Sequence, residues 1–98
     1  MENESREEVT LEILRERING VDRELMGLIS QRIQIALEIG KLKNKAGIPV
    51  RDEAREEEVI KQWESFASEL GIDPALIRPI VEALIQASRL SQENQKYE

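Results

Sequence analysis

The 98-residue sequence predicts an all-α fold of three helices with a long first helix. Three observations predict it. Leu, Ile, Ala, Glu, Arg, Lys and Gln dominate the chain, and most of them are good helix formers. Aromatic residues make up only 3%, and no segment alternates apolar and polar residues at the period of a half-buried strand. Apolar residues instead recur at steps of three and four. The length fits a single domain.

Residues 1–9 (MENESREEV) are polar and are expected to form a disordered segment ahead of a helical domain over residues 10–98. From Leu14 an apolar series runs through Ile18, Val21, Leu25, Leu28, Ile35, Ile39, Leu42 and Ala46. It is a heptad-like seam whose missing member falls at Arg32. The series ends at Gly47-Ile48-Pro49, a helix stop of glycine followed by proline. The first helix is therefore expected over residues 10–46, roughly 50 Å long at 1.5 Å per residue. A helix of that length exceeds a globule of this size, whose radius of gyration is about 13 Å. Its continuous apolar seam calls for a partner, and the simplest is a second copy in a C₂ dimer. The alternative is that the helix breaks, since Gly20, Gly27 and Gly40 each weaken it.

Asp52 reads as the N-cap of a second helix carrying Val59, Ile60, Trp63, Phe66, Ala67 and Leu70 and stopping at Gly71. Asp73-Pro74 marks a third start, an N-cap followed by proline at the first helical position. The apolar face there is Ile77, Ile80, Val81, Leu84 and Ile85. Pro79 within it is expected to kink the helix or to delay its regular start.

The composition removes several function classes. A formal net charge of -6 is a poor match to nucleic acid or an anionic membrane, neither of which is expected as a partner. With no cysteine and no histidine, thiolate chemistry, the Ser-His-Asp triad, a histidine base and Cys- or His-ligated metal sites are excluded. Glu56-Glu57-Glu58 reads as a solvated helix face, and no metal site is assigned. No apolar run approaches the ~20 residues that span a bilayer, so a cytoplasmic protein is expected.

Four places break the apolar pattern. Arg32 stands in the seam, and Lys43 lies eleven residues on, within 20° of the same face, with Ala36 and Ile39 between them. Both heads either reach water or converge on one small anion. A buried unpaired guanidinium is costly, which favours the second reading for Arg32. On the third helix the apolar stripe continues into Ser88 and Gln92, i,i+4 neighbours that mark either a helix end entering solvent or a site. Arg55 and Glu56 follow Asp52 in the first turn of the second helix. Asp52 and Glu56 suit a helix N-terminus, but Arg55 there is unfavourable. Arg15 precedes Arg32 by seventeen residues, roughly 25 Å along a helix, too far for one small ligand within one chain. In an antiparallel dimer it reaches the partner's pocket.

These residues resemble the all-helical class of chorismate mutases, small intertwined helical dimers. The likeness runs from about Leu11 to Gln92. It passes through Leu14-Arg15-Glu16-Arg17-Ile18, Val21-Asp22, Arg32, Gly40-Lys41-Leu42-Lys43, Pro49-Val50-Arg51-Asp52, Arg55-Glu56, Ser88 and Gln92. Each motif is weak alone, but their order and spacing are specific.

The resemblance implies an intertwined antiparallel homodimer that converts chorismate to prephenate in phenylalanine and tyrosine biosynthesis, without a cofactor. By the same likeness Arg32, and Arg15 of the partner chain, each grip a substrate carboxylate. Lys43 bridges a carboxylate and the ether oxygen of the breaking bond, and Gln92 donates to that oxygen. Glu56 holds the ring hydroxyl, helped by the backbone N–H of Asp52. Ser88 assists at a carboxylate, Arg55 orders the polar network, and Ile39 supplies apolar wall. The catalytic residues are thus Lys43, Gln92, Arg32 and Arg15.

The inventory suits this chemistry. A one-step pericyclic rearrangement needs no nucleophile, proton transfer or metal, only a compact conformer and donors at the oxygen that gains charge. The rival enzyme is isochorismate pyruvate lyase, which resembles the same family, and Glu56 with Ser88 favours the mutase. The rival of another class is a non-catalytic helical dimerisation module. At this length the fused domains that family members often carry, and feedback control through them, are not expected.

Overall fold

The computed structural model describes residues 8–95. Among them are three helices and no strand: α1 (Leu11–Ala46), α2 (Glu53–Glu69) and α3 (Pro74–Asn94). The expected disordered segment falls mostly on residues 1–7, which lie outside the described residues, and residues 8–10 precede α1 without helical structure.

Local chemistry sets the helix ends. Thr10 opens α1, its hydroxyl accepting from Ile13 N at 3.1 Å and its carbonyl from Leu14 N at 3.1 Å. Asp52 caps α2, its carboxylate accepting from Arg55 N at 3.0 Å. Asp73 caps α3 in the same way through Ala75 N at 3.0 Å, with Pro74 at the first helical position. Two glycines close α1 and α2. Gly47 (φ 69°) and Gly71 (φ 75°) take the left-handed conformation that L side chains avoid. The next amides then fold back onto orphan carbonyls: Ile48 N donates to Lys43 O and Ile72 N to Ala67 O, both at 2.8 Å. This is the Schellman closure.

The long first helix is present as expected, and the alternative of a break at Gly20, Gly27 or Gly40 does not occur, because a glycine costs about 1 kcal/mol against alanine and leaves every backbone hydrogen bond in place. One expectation is corrected. α3 is not delayed by Pro79 but runs from Pro74 through it. The donor that Pro79 lacks would have served Ala75, in the first turn, so one bond is lost close to the helix end.

The chain divides into two units, Met1–Ser30 and Gln31–Glu98, and α1 contributes to both. In the first unit Leu14, Ile18, Val21, Leu25 and Leu28 are all exposed. In the second, α2 packs on α3 around a small core of Ala36, Ile60, Ala67 and Val81. Ile35, Ile39 and Leu42 of α1, Phe66 and Leu70 of α2, and Leu76 and Ile80 of α3 stay exposed. Each unit thus leaves several large apolar side chains uncovered. No helix among the described residues is long and apolar enough to cross a membrane.

Candidate functional site

The second unit contains a cavity of about 360 Å³, within the range that holds small ligands. Three helical stretches supply its walls. α1 presents Arg32, Ile35, Ala36, Ile39 and Lys43, which helical periodicity stacks on one side. Val50, Asp52, Arg55, Glu56 and Val59 come from the loop and first turns of α2, and Ile85, Ser88, Arg89 and Gln92 from α3. Aliphatic groups form much of the lining and a few polar heads converge on it.

Those heads are already oriented. The Arg32 guanidinium donates from Nη1 to Ser88 Oγ at 2.6 Å and to the Leu84 carbonyl at 3.4 Å. Lys43 Nζ donates to the Val50 carbonyl at 2.7 Å. Each of these cations is thus held by neutral oxygens. Burial, reinforced by the like charge of Arg55, pushes the Arg32 pKa below the ordinary arginine value. The Glu56 carboxylate accepts from Arg89 Nη1 at 3.0 Å. Gln92 is buried at 7% exposure. Arg55 turns outward, its Nη1 in a short contact with Glu58.

Four cations (Arg32, Lys43, Arg55, Arg89) and two carboxylates (Asp52, Glu56) line the cavity, a formal excess of two positive charges. The chain as a whole carries -6, so the positive field is local. Such a site can bind a small dianion, fix its conformation and stabilise negative charge that develops on it. With no histidine in the chain and Ser88 Oγ accepting from a cation, nothing here activates a hydroxyl nucleophile.

Of the residues singled out by sequence, Arg32, Ile39, Lys43, Asp52, Arg55, Glu56, Ser88 and Gln92 all line this one cavity. Arg15 belongs to the unit Met1–Ser30, where its side chain is exposed. Sequence reasoning missed Arg89 and the aliphatic lining from Ile35, Val50, Val59 and Ile85. The aliphatic residues carry no signal that separates cavity wall from core. For Arg89 the one usable signal was its place beside Ser88 and three residues before Gln92.

A model of the chorismate mutase type II family matches residues 14–93. The bifunctional chorismate mutase/prephenate dehydratase of Escherichia coli (strain K12) is 31% identical over 80 residues, 82% of this chain and 21% of that protein. The chorismate mutase of Methanocaldococcus jannaschii is 27% identical over 79 residues, 81% of this chain and 80% of that one. A solved structure, a conserved hypothetical protein from Pyrococcus furiosus, superposes with a TM-score of 0.69 at 32% identity, covering 88% of this chain and 99% of the other. The chain spans only about a fifth to a quarter of the length of the first curated relatives it matches, at 23% and 21%. The matched segment holds α2, all but the outermost residues of α1 and α3, and every residue that lines the cavity, and on that ground the chain belongs to the chorismate mutase type II family.

Proposed function

We propose that the chain is a cytoplasmic chorismate mutase, converting chorismate to prephenate for phenylalanine and tyrosine biosynthesis. The observation that carries the reading is the convergence of Arg32, Lys43, Ser88 and Gln92 with Glu56 on one cavity with two excess positive charges. Chorismate is a dianion, and its rearrangement breaks one C–O bond while forming one C–C bond within the same molecule. No atom or electron enters or leaves.

Arg32, with Ser88 fixing its guanidinium, grips one carboxylate. Lys43 spans a carboxylate and the ether oxygen, and Gln92 donates to the ether oxygen as the C–O bond lengthens. Glu56 and the backbone N–H of Asp52 hold the ring hydroxyl, Arg55 orders the polar rim, and Ile39 closes the apolar side. Holding the compact conformer removes part of the entropic barrier. A preorganised donor at the developing oxyanion is worth about 10²–10³ in rate.

The active form in this reading is an intertwined antiparallel homodimer in which Arg15 of one chain completes the pocket of the other. The uncovered apolar face of α1 supports it, because burying that face needs a long complementary helix. The test is the loss of chorismate absorbance with purified protein, with prephenate identified as product. Isochorismate is assayed in parallel. Pyruvate release from isochorismate, without prephenate from chorismate, would replace this reading with the lyase.

A further inference from the structure

Glu56 and Arg89 form the best-shielded ion pair among the described residues of the second unit. Their side chains are 21% and 23% exposed, and Arg89 Nη1 lies 3.0 Å from Glu56 Oε2. Glu56 stands in the first turn of α2 and Arg89 on α3, 33 residues away in sequence. Both line the cavity, and both also line a second, polar groove bounded by Arg51, Glu53 and Arg78. The pair, together with Ile85, thus borders both spaces. On the groove side Arg51 Nε approaches the other carboxylate oxygen, Oε1, only to 4.0 Å. That is an ion-pair distance and not a hydrogen bond.

This arrangement does two things for Glu56. A charge-assisted bond fixes the rotamer of a side chain that would otherwise swing toward water. It also consumes one of the roughly four acceptor positions of the carboxylate, leaving others able to accept from a ligand hydroxyl. Of the two cations paired with Glu56, Arg89 at 3.0 Å makes the hydrogen bond and Arg51 at 4.0 Å does not, so Arg89 sets the direction of the carboxylate.

We infer that Arg89 is a positioning residue of the site. Its guanidinium holds Glu56 as the acceptor for the substrate's ring hydroxyl, and so gives the site its preference for a ring that carries that hydroxyl. The inference rests on the chorismate reading of the cavity. Arg89 touches no reacting atom; it acts through Glu56.

The test compares chorismate with the analogue in which hydrogen replaces the ring hydroxyl, using wild type, Arg89→Met and Arg89→Lys. Arg89→Met should lower kcat/KM for chorismate by about 10- to 100-fold, the worth of a hydrogen bond involving a charged group. On the analogue it should change kcat/KM by no more than about threefold, and Arg89→Lys should recover most of the loss on chorismate. Arg89→Leu, which likewise removes the donors and keeps an apolar side chain, supplies the same comparison if Arg89→Met does not fold. An equal loss on both substrates would reduce Arg89 to a tie between α2 and α3 and overturn the inference. So would an undiminished rate on chorismate, or a lysine variant no better than methionine. Wild type that leaves chorismate unconverted would overturn the functional reading itself, and this inference with it, before any variant is compared.

Discussion

Arg32 and Ser88 stand 56 residues apart in sequence, yet the guanidinium Nη1 of the first donates to the hydroxyl Oγ of the second across 2.6 Å. The bond joins α1 to α3 and aims a cation at the cavity without neutralising it. The other acceptor of Arg32 is the Leu84 carbonyl, again uncharged. Arg32 is half-buried near Arg55 and has dipoles for hydrogen-bond partners among the described residues, and an anion in the cavity would supply a counter-ion.

The sign of the resulting stability effect is fixed. The Arg32 pKa is lowered in the folded chain, first by burial and then by Arg55, so folding disfavours its charged form. For a cation this is a penalty at every pH below the folded pKa, relieved only as pH rises through it. Arginine stays charged in proteins across the ordinary range, so the penalty should be flat there. Arg32→Met removes it and keeps the aliphatic stem. We expect a denaturation midpoint equal to or above wild type, invariant between pH 6 and 9, with chorismate turnover lost by at least ~10²-fold. A clear fall in the midpoint would show that the bonds to Ser88 and Leu84 outweigh the desolvation.

Lys43→Ala separates fold from chemistry at the other end of the cavity. Lys43 Nζ rests on the Val50 carbonyl at 2.7 Å, a half-buried contact next to the Schellman turn that Gly47 already closes. Its loss should leave the helical circular dichroism unchanged and lower kcat by at least ~10²-fold, the value of a donor at developing negative charge. Near-normal turnover in the folded variant would remove Lys43 from the ether oxygen.

The helices were legible because their ends are written in local chemistry. Asp52, Asp73-Pro74, Gly47 and Gly71 each act on atoms within a few residues, and each end falls where those signals stand. The penalties of Gly20 and Gly27 were legible and rightly left the first helix whole, whereas the effect of Pro79 on the start of α3 was overestimated, since one lost bond near the helix end is outweighed by its intact neighbours. Arg32 with Lys43, and Ser88 with Gln92, stood out as polar residues on apolar stripes. Arg89 did not, because a charged residue on a mostly polar turn looks ordinary. What distinguishes it is Glu56, brought to it only by the packing of α2 on α3. Arg55 shows the converse: it lines the cavity, but its guanidinium turns out to Glu58, three residues away.

Gln92 gives a pH test. The amide is neutral at every ordinary pH, so it donates equally under acid and base. Gln92→Glu keeps the shape, but only its protonated carboxyl can donate to the ether oxygen. Position 92 is buried, which raises a carboxyl pKa and widens the acid window. Activity of the variant should therefore climb as pH falls, while wild type stays nearly flat. The measurement is kcat/KM between pH 4.5 and 8.5, and parallel profiles for the two proteins would dismiss Gln92 as the donor.

The shared pocket can be tested without solving a dimer. Leu14, Ile18, Val21, Leu25 and Leu28 present an exposed apolar face around Arg15, and Ile35, Ile39 and Leu42 present another beside Arg32. If two copies bury these faces antiparallel, each pocket takes Arg15 from one chain and Arg32 from the other. Arg15→Ala and Arg32→Ala homodimers should then both be nearly inactive. Mixed under conditions that exchange subunits, they form heterodimers with one pocket carrying both lesions and one carrying neither. Random pairing makes about half the dimers mixed, and half of their pockets intact, so about a quarter of wild-type activity should return. If both arginines served a pocket within one chain, every pocket would keep one lesion and mixing would restore nothing. The readout is prephenate formation against time after mixing, with exchange followed independently by a mass tag on one variant. Recovery that tracks the tagged heterodimer establishes the shared pocket. Complete exchange without recovery rejects it, and with it the antiparallel arrangement.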